Sequence, residues 1–121
     1  MARIARMVWV FAFLVGAFTH GREILAGGWL PYDIAPIGLN WFWSLLLPLD
    51  VTATALVILR RREGTLLGLA IIIADVAVNS WFAAQTGWLD LYAALQWQSL
   101  FCGFALGTAH LLWQDTVRRT A

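Results

Sequence analysis

The stretch LLLPLDVTATALVILRRREG, residues 45–64, decides the fold of this chain. It is the second half of an apolar segment that ends in three consecutive arginines, a pattern typical of a transmembrane helix that leaves the membrane at its cytoplasmic face. Within the apolar part lies one acid, Asp50. Because a charged acid near the centre of a bilayer costs about 2.5–3.5 kcal/mol on insertion scales, we expect Asp50 to have a function.

The composition extends this interpretation to the whole chain. Of the 121 residues, 61% are hydrophobic and 12% are charged, and the mean hydropathy is +0.74. Such a chain has too few polar side chains to cover a water-soluble surface, so a lipid bilayer is its expected solvent. We predict a single domain, residues 1–121, that is integral to the membrane and passes through it several times. In a bacterium this would be the plasma or inner membrane.

Four apolar segments predict four helices, at about residues 5–25, 38–59, 65–84 and 92–114. Twenty residues of helix span about 30 Å, which matches the hydrocarbon core of a bilayer. Backbone polar groups in lipid must pair within their own segment, so helices rather than strands are expected. The predicted fold class is therefore all-α, an integral membrane four-helix bundle.

The arginines predict the orientation of these helices. If the chain crosses four times, seven of its eight basic residues fall on one side, and only Arg22 falls on the other. The seven are Arg3, Arg6, Arg60, Arg61, Arg62, Arg118 and Arg119. Since basic residues collect on the cytoplasmic side, we predict that the N- and C-termini are both cytoplasmic.

A second acid, Asp75, is expected at a similar depth in the neighbouring helix, because only a short loop joins helices 2 and 3. Two facing carboxylates resist ionising together, so Asp50 and Asp75 are predicted to form a proton donor and acceptor pair. Thr54 and Asn79 each lie one turn from one of these acids. In the alternative interpretation, the acids pair with neighbouring amides and lock the bundle together.

Other polar residues predict the rest of an inward-facing site. Helix 1 carries His20 and Glu23 near its outer end, and Trp43 supplies an aromatic wall in helix 2. Helix 4 carries polar and small residues at spacings of three and four, and we expect this stripe to face the interior. The stripe consists of Gln96, Ser99, Gly103, Gly107 and His110. Its GFALG pattern favours packing inside the bundle, with a homodimer contact as the alternative.

Two other classes of site are not indicated. The chain has no groove of basic and aromatic residues for nucleic acid. Its single cysteine, Cys102, cannot form an internal disulfide, and no spacing of Cys and His residues predicts a metal site. We therefore expect no metal, no cofactor and no nucleic-acid partner.

Three segments carry a resemblance to a known family: THGRE (residues 19–23), WLPYDIAP (29–36) and WFWSLLLPLD (41–50). Their order resembles that of the EXPERA family, the four-helix membrane proteins that include the sigma-2 receptor and the emopamil-binding sterol isomerase. The resemblance implies an internal cavity whose acids bind amines or move protons in sterol double-bond isomerisation. It would match Asp50 to the acid of helix 2, and His20 or Glu23 to the polar residues of helix 1. This chain is shorter, and Asp75 has no matching position in the family.

Together these features predict an intramembrane cavity, centred on the acid pair, that binds a lipophilic small molecule. The ligand would be a cation or a sterol- or isoprenoid-like compound, and isomerase activity is left open. The predicted ligand-binding residues are His20, Glu23, Trp43, Thr54, Asn79, Gln96 and Ser99. One alternative is a small proton-coupled transporter of lipophilic compounds. The other is a non-catalytic subunit or assembly factor of a membrane complex, with the lipid bilayer and other chains as its partners.

Overall fold

The computed structural model describes residues 1–120, with side chains through Arg118. The predicted inner position of the Arg119 side chain and the last residue of the predicted domain, Ala121, lie outside this description. Four α-helices make up the described part: α1 (Ala2–Gly27), α2 (Ile37–Ile58), α3 (Arg62–Thr86) and α4 (Leu89–Thr120). The predicted all-α class with four helices is thus confirmed.

Three of the helices, α1, α2 and α3, are long and apolar enough to cross a membrane. Helix α4 has 32 residues, but it does not meet the same measure of hydropathy. Its apolar run is interrupted by Gln96, Gln98 and Ser99. The fourth crossing and the cytoplasmic termini stay predictions.

Helix α2 agrees with its predicted bounds to within one residue, whereas the other three helices extend a few residues beyond theirs, most clearly at the end of α4, which reaches Thr120 rather than residue 114. Hydropathy marks where the apolar environment ends, whereas polar and charged side chains can continue a helix into water. The connections are short: residues 28–36 join α1 to α2, and Leu59–Arg61 join α2 to α3. Gly87 ends α3 with φ of 66°, a left-handed conformation that favours glycine.

Each helix packs antiparallel against its neighbours in the order α1, α2, α3, α4, and α4 closes the ring on α1 through the smallest of the four interfaces. At the arginine-rich end, the Asp115 carboxylate of α4 accepts hydrogen bonds from Arg6 Nη2 at 2.5 Å and from Arg60 Nη1 at 3.3 Å. Farther along the same interface, Trp9 Nε1 donates to Thr108 Oγ1 at 3.0 Å. These contacts tie α1 and the turn after α2 to the last turns of α4.

Two glycines of α3 make room for its neighbours. A Cβ on Gly64 would lie 2.7 Å from the backbone carbon of Leu56 and 2.7 Å from the backbone nitrogen of Val57, so α2 and α3 meet there backbone to backbone. A Cβ on Gly68 would lie 2.8 Å from the ring of Trp9, which is fully buried. The aromatic core between α1 and α3 therefore depends on a glycine at this position.

The stripe of α4 that was predicted to face inward is exposed instead, so this prediction is wrong. All five of its residues are exposed on the face of α4 that points away from the bundle: Gln96, Ser99, Gly103, Gly107 and His110. Apart from the backbone of α4 itself, no described atom lies within 4 Å of a Cβ built on Gly103 or Gly107, so the two glycines of GFALG do not pack inside the bundle. The buried residues of α4 form a second stripe: Leu91, Leu95, Ala105, Leu112 and Thr116. Both stripes follow the helical period, the second one with gaps of 4, 10, 7 and 4 residues, and Ala105 belongs to the hydrophobic core.

We expect Gly64→Ala to destabilise the bundle by about 1–3 kcal/mol, because the added methyl group would meet backbone atoms that cannot rotate away. Gly38→Ala is the matched control, since Gly38 is also helical and has open space around its Cβ position. Unfolding of both variants in detergent micelles measures the difference. Equal stability of Gly64→Ala and the unmodified chain would contradict the close crossing of α2 and α3.

Candidate functional site

A buried hydrogen-bond network centred on Asn79 joins three helices. Trp43 Nε1 of α2 donates to Asn79 Oδ1 at 2.8 Å. Asn79 Nδ2 donates to Asp75 Oδ1 at 2.9 Å and to Gln98 Oε1 of α4 at 3.0 Å. Because an indole N–H can only donate, Trp43 fixes the orientation of the Asn79 amide and directs both of its N–H groups towards the two acceptors.

A second cluster lies at the outer end of α1. The Tyr32 hydroxyl, from the loop after α1, donates to Glu23 Oε2 at 2.5 Å, and His20 Nδ1 lies 2.8 Å from the same hydroxyl oxygen. Since the single hydroxyl hydrogen is directed to Glu23, the second contact requires Nδ1–H of His20 as the donor. Burial, together with the hydrogen bond to Glu23, raises the pKa of Tyr32 above its usual range, so Tyr32 stays a neutral donor.

The loop holds Tyr32 in this position through Asn40, which is buried in the first turn of α2. Asn40 Oδ1 accepts the backbone N–H of Tyr32 at 3.1 Å, and Asn40 Nδ2 donates to the carbonyl oxygen of Leu30 at 3.1 Å. The Tyr32 ring then meets the Trp43 ring edge to face, with 5.2 Å between the ring centroids. The loop therefore acts as a fixed wall of the site.

Between the two clusters lies a cavity of about 210 Å³ to which all four helices contribute. Three aromatic side chains line it, Tyr32, Trp43 and Trp88. Its polar lining includes His20, Glu23, Asn79, Asp90 and Gln98. The cavity thus combines aromatic walls with two carboxylates, and Asn79 connects it to the buried Asp75.

Asp50 and Asp75 are both buried, with 4% and 8% of their surfaces exposed, and neither lines the cavity. The Asp50 carboxylate packs against α1, where a Cβ on Gly16 would lie 2.5 Å from Asp50 Oδ2. No hydrogen bond to Asp50 is formed by the described residues. At the crossing of the two helices, Gly64 of α3 lies opposite Val57 of α2. Asp75 is 11 residues from Gly64 along α3, and Asp50 is seven residues from Val57 along α2. The difference of four residues is about 6 Å at 1.5 Å per residue. The two acids are therefore staggered by about one turn.

The structure brings together four of the predicted ligand-binding residues, His20, Glu23, Trp43 and Asn79, as part of the cavity lining. Thr54 is buried on α2 one turn from Asp50, and its hydroxyl has no hydrogen-bond partner among the described residues. The prediction that Gln96 and Ser99 face the cavity is wrong, because α4 presents its other face to the bundle.

Sequence reasoning missed seven residues of the cavity lining: Thr19, Tyr32, Trp88, Asp90, Leu91, Ala94 and Gln98. Gln98 carried a usable signal, because it lies three residues after Leu95 and seven after Leu91, in register with the apolar stripe of α4. No sequence pattern predicted that Tyr32 lines the cavity, since its position depends on the path of an irregular loop. Among the described residues, no group of three or more His, Cys, Asp or Glu side chains is arranged to hold a metal ion.

Comparison of the chain with known families, curated proteins and solved structures finds no match. The function must therefore be argued from the geometry of the site.

Two glutamines of α4 provide a direct test of this geometry. Gln98→Leu should destabilise the bundle by about 0.6–1.7 kcal/mol, because it removes the acceptor of a buried Asn79 N–H. Gln96→Leu should leave stability unchanged, since Gln96 lies on the exposed face. Unfolding of both variants in the same micelles checks the difference, and the reverse order would contradict the orientation of α4.

Proposed function

We propose that the chain is a membrane protein with four crossings and cytoplasmic termini, and that it binds a small organic cation in the cavity at its outer end. The observation that carries this proposal is the lining of the cavity, where three aromatic rings and the carboxylates of Glu23 and Asp90 surround one space. Aromatic faces attract cations, and an anionic side chain in a partly desolvated site pairs with an ammonium group.

The pairing of α4 with α3 supports the fourth crossing. Contacts between these helices run from the Asn79–Gln98 hydrogen bond to the position where Arg62 lies over the ring of Trp113, 5.3 Å from its centroid. Along α3 this distance is about 25 Å of helix, close to the thickness of the hydrocarbon core. A membrane-spanning α3 would therefore carry α4 across with it.

The volume of the cavity supports a small ligand. Sites for drug-sized molecules usually measure about 300–1,000 Å³, and this cavity holds about 210 Å³. An amine with one aromatic group of the size of an indole fits this space, whereas a sterol or isoprenoid would have to extend out of it. The resemblance to the EXPERA family and the isomerase chemistry that it implies remain predictions from the sequence.

We expect a primary arylalkylamine such as tryptamine to raise the thermal midpoint of the purified protein, and its neutral analogue 3-ethylindole to leave the midpoint unchanged. Glu23→Gln should weaken amine binding by about 10- to 150-fold, because it removes a charge-assisted contact worth about 1.5–3 kcal/mol. The glutamine keeps an acceptor oxygen for the Tyr32 hydroxyl, so the local structure is retained. Titration of the thermal midpoint with each compound measures both effects.

Asp33→Asn is the matched control, since Asp33 is an exposed acid of the outer loop and its loss changes the net charge equally. This variant should bind the amine as the unmodified protein does. Equal stabilisation by the amine and its neutral analogue would contradict the cation site. Equal loss of binding in the Glu23 and Asp33 variants would point to surface charge instead of the cavity.

Proton-coupled transport is the second candidate, and the environment of Asp50 favours it. This acid is buried and receives no hydrogen bond from a described residue, so its carboxyl group is available to hold a proton that leaves when a cation arrives. Asn79 and Asp75 lie between the cavity and the level of Asp50. The acids would then act below the bound cation, as a proton donor and acceptor pair.

If this is correct, amine binding to the unmodified protein releases protons, and Asp50→Asn abolishes the release while the amine still binds. A pH-sensitive dye in weakly buffered micelles measures proton release, and the midpoint titration measures binding in the same samples. Ser80→Ala is a control on an exposed residue of α3. Unchanged proton release from Asp50→Asn would contradict the coupling role.

The alternative of a non-catalytic subunit is favoured by the exposed stripe of α4. Polar and small residues such as Gln96, Ser99 and Gly103 would face lipid in a monomer. Contact with another chain, including a second copy of this one, would cover them. The amine titration separates this alternative from a ligand-binding role, because a subunit without a cation site shows no amine-specific stabilisation.

A further inference from the structure

A second concave site lies at the opposite, arginine-rich end of the bundle. It is a groove of about 290 Å³ between the first turns of α3 and the last turns of α4. Leu66, Leu69 and Ala109 form its apolar part, and Trp113 lies at the arginine-rich end. The apolar part continues along the helices towards the middle of the bundle, as an acyl chain would.

A positive charge is fixed at the end of this groove. The Arg62 guanidinium lies 5.3 Å from the centroid of the Trp113 ring, and Trp113 lines the groove. Arg62 is exposed and forms no ion pair with a described carboxylate, whereas Arg6 and Arg60 both pair with Asp115. The charge of Arg62 is therefore available to an anion that enters the groove.

The groove is also lined by a threonine. Thr65 is 3% exposed, lines the groove and forms no hydrogen bond with any described residue. This hydroxyl can donate a hydrogen bond to, or accept one from, a group that enters the groove from outside. His110 also lines the groove and adds an imidazole ring to its polar surface.

We infer that this groove binds one acidic phospholipid of the cytoplasmic leaflet. An acyl chain lies against Leu66, Leu69 and Ala109, and the headgroup phosphate pairs with Arg62. Basic pockets between transmembrane helices on the cytoplasmic side recognise anionic headgroups in this way. The site shares no residue with the outer cavity, so it is independent of the proposed cation binding.

The test compares two short-chain lipids of equal chain length, a phosphatidylglycerol and a phosphatidylcholine, as stabilisers of the purified full-length protein in neutral detergent. The phosphatidylglycerol should bind about five-fold more tightly, the preference expected from one arginine near a headgroup. Arg62→Gln should abolish the preference. Arg3→Gln, which removes an exposed arginine of the same end from α1, should retain it. For each variant, the thermal midpoint with lipid is compared with the midpoint of the same variant without lipid, so a difference in stability between variants does not affect the comparison.

A further variant, Thr65→Val, keeps the shape of the side chain and should weaken binding of the phosphatidylglycerol. Equal binding of both lipids would overturn the inference, as would an unchanged preference in Arg62→Gln. Stabilisation by inorganic phosphate to the same extent as by the lipid would show a simple anion site, and this too would overturn it. The lipid site would be established if Arg62→Gln loses the preference for phosphatidylglycerol, Arg3→Gln keeps it, and inorganic phosphate does not stabilise the protein.

Discussion

In an apolar bundle, every polar side chain needs a partner within the protein, and the Asn79 amide meets this constraint for three helices at once. It accepts from Trp43 and donates to Asp75 and Gln98, so a single side chain fixes the register of α2, α3 and α4. Because Trp43 is only a donor, the amide has one possible orientation. The outer cavity lies directly against this network, and its shape therefore follows from the placement of one amide.

The α2–α3 interface differs between its two ends, and this difference explains why it opens into the cavity at the outer end. At the inner end, Gly64 lets α2 and α3 touch through their backbones, and Asp115 draws α1 and the α2–α3 turn onto α4. At the outer end, large rings occupy the same interfaces, with Trp43 and Phe82 packed edge to face at 5.4 Å between centroids. Rigid rings of this size leave a space between the helices that small residues would close.

Composition and spacing were sufficient to predict four helices, their approximate bounds and two buried acids, because these features depend on hydropathy alone. The face that α4 presents to the bundle was not predictable in the same way. Its two stripes share one period, and the choice between them depends on the shapes of Trp9 and Asn79, which belong to other helices. The position of Tyr32 depends on the Asn40 side chain, which accepts the backbone N–H of Tyr32 and donates to the carbonyl oxygen of Leu30, and no local sequence pattern predicts these bonds. Periodicity therefore predicts which faces exist, and packing decides which face is used.

The stagger of the two acids changes what they could do together. Asp75 accepts an amide hydrogen bond and is joined through Asn79 to the cavity, whereas Asp50 lies deeper against Gly16 and has no such donor. Two carboxyl groups in different surroundings take different roles, as acid–base pairs generally do. In the proposed mechanism, Asp75 is the acid nearer to the bound cation, because Asn79 joins it to the cavity lining, and Asp50 holds the proton. Two acids at the same depth in the bundle could not divide these roles, because neither would be nearer to the ligand.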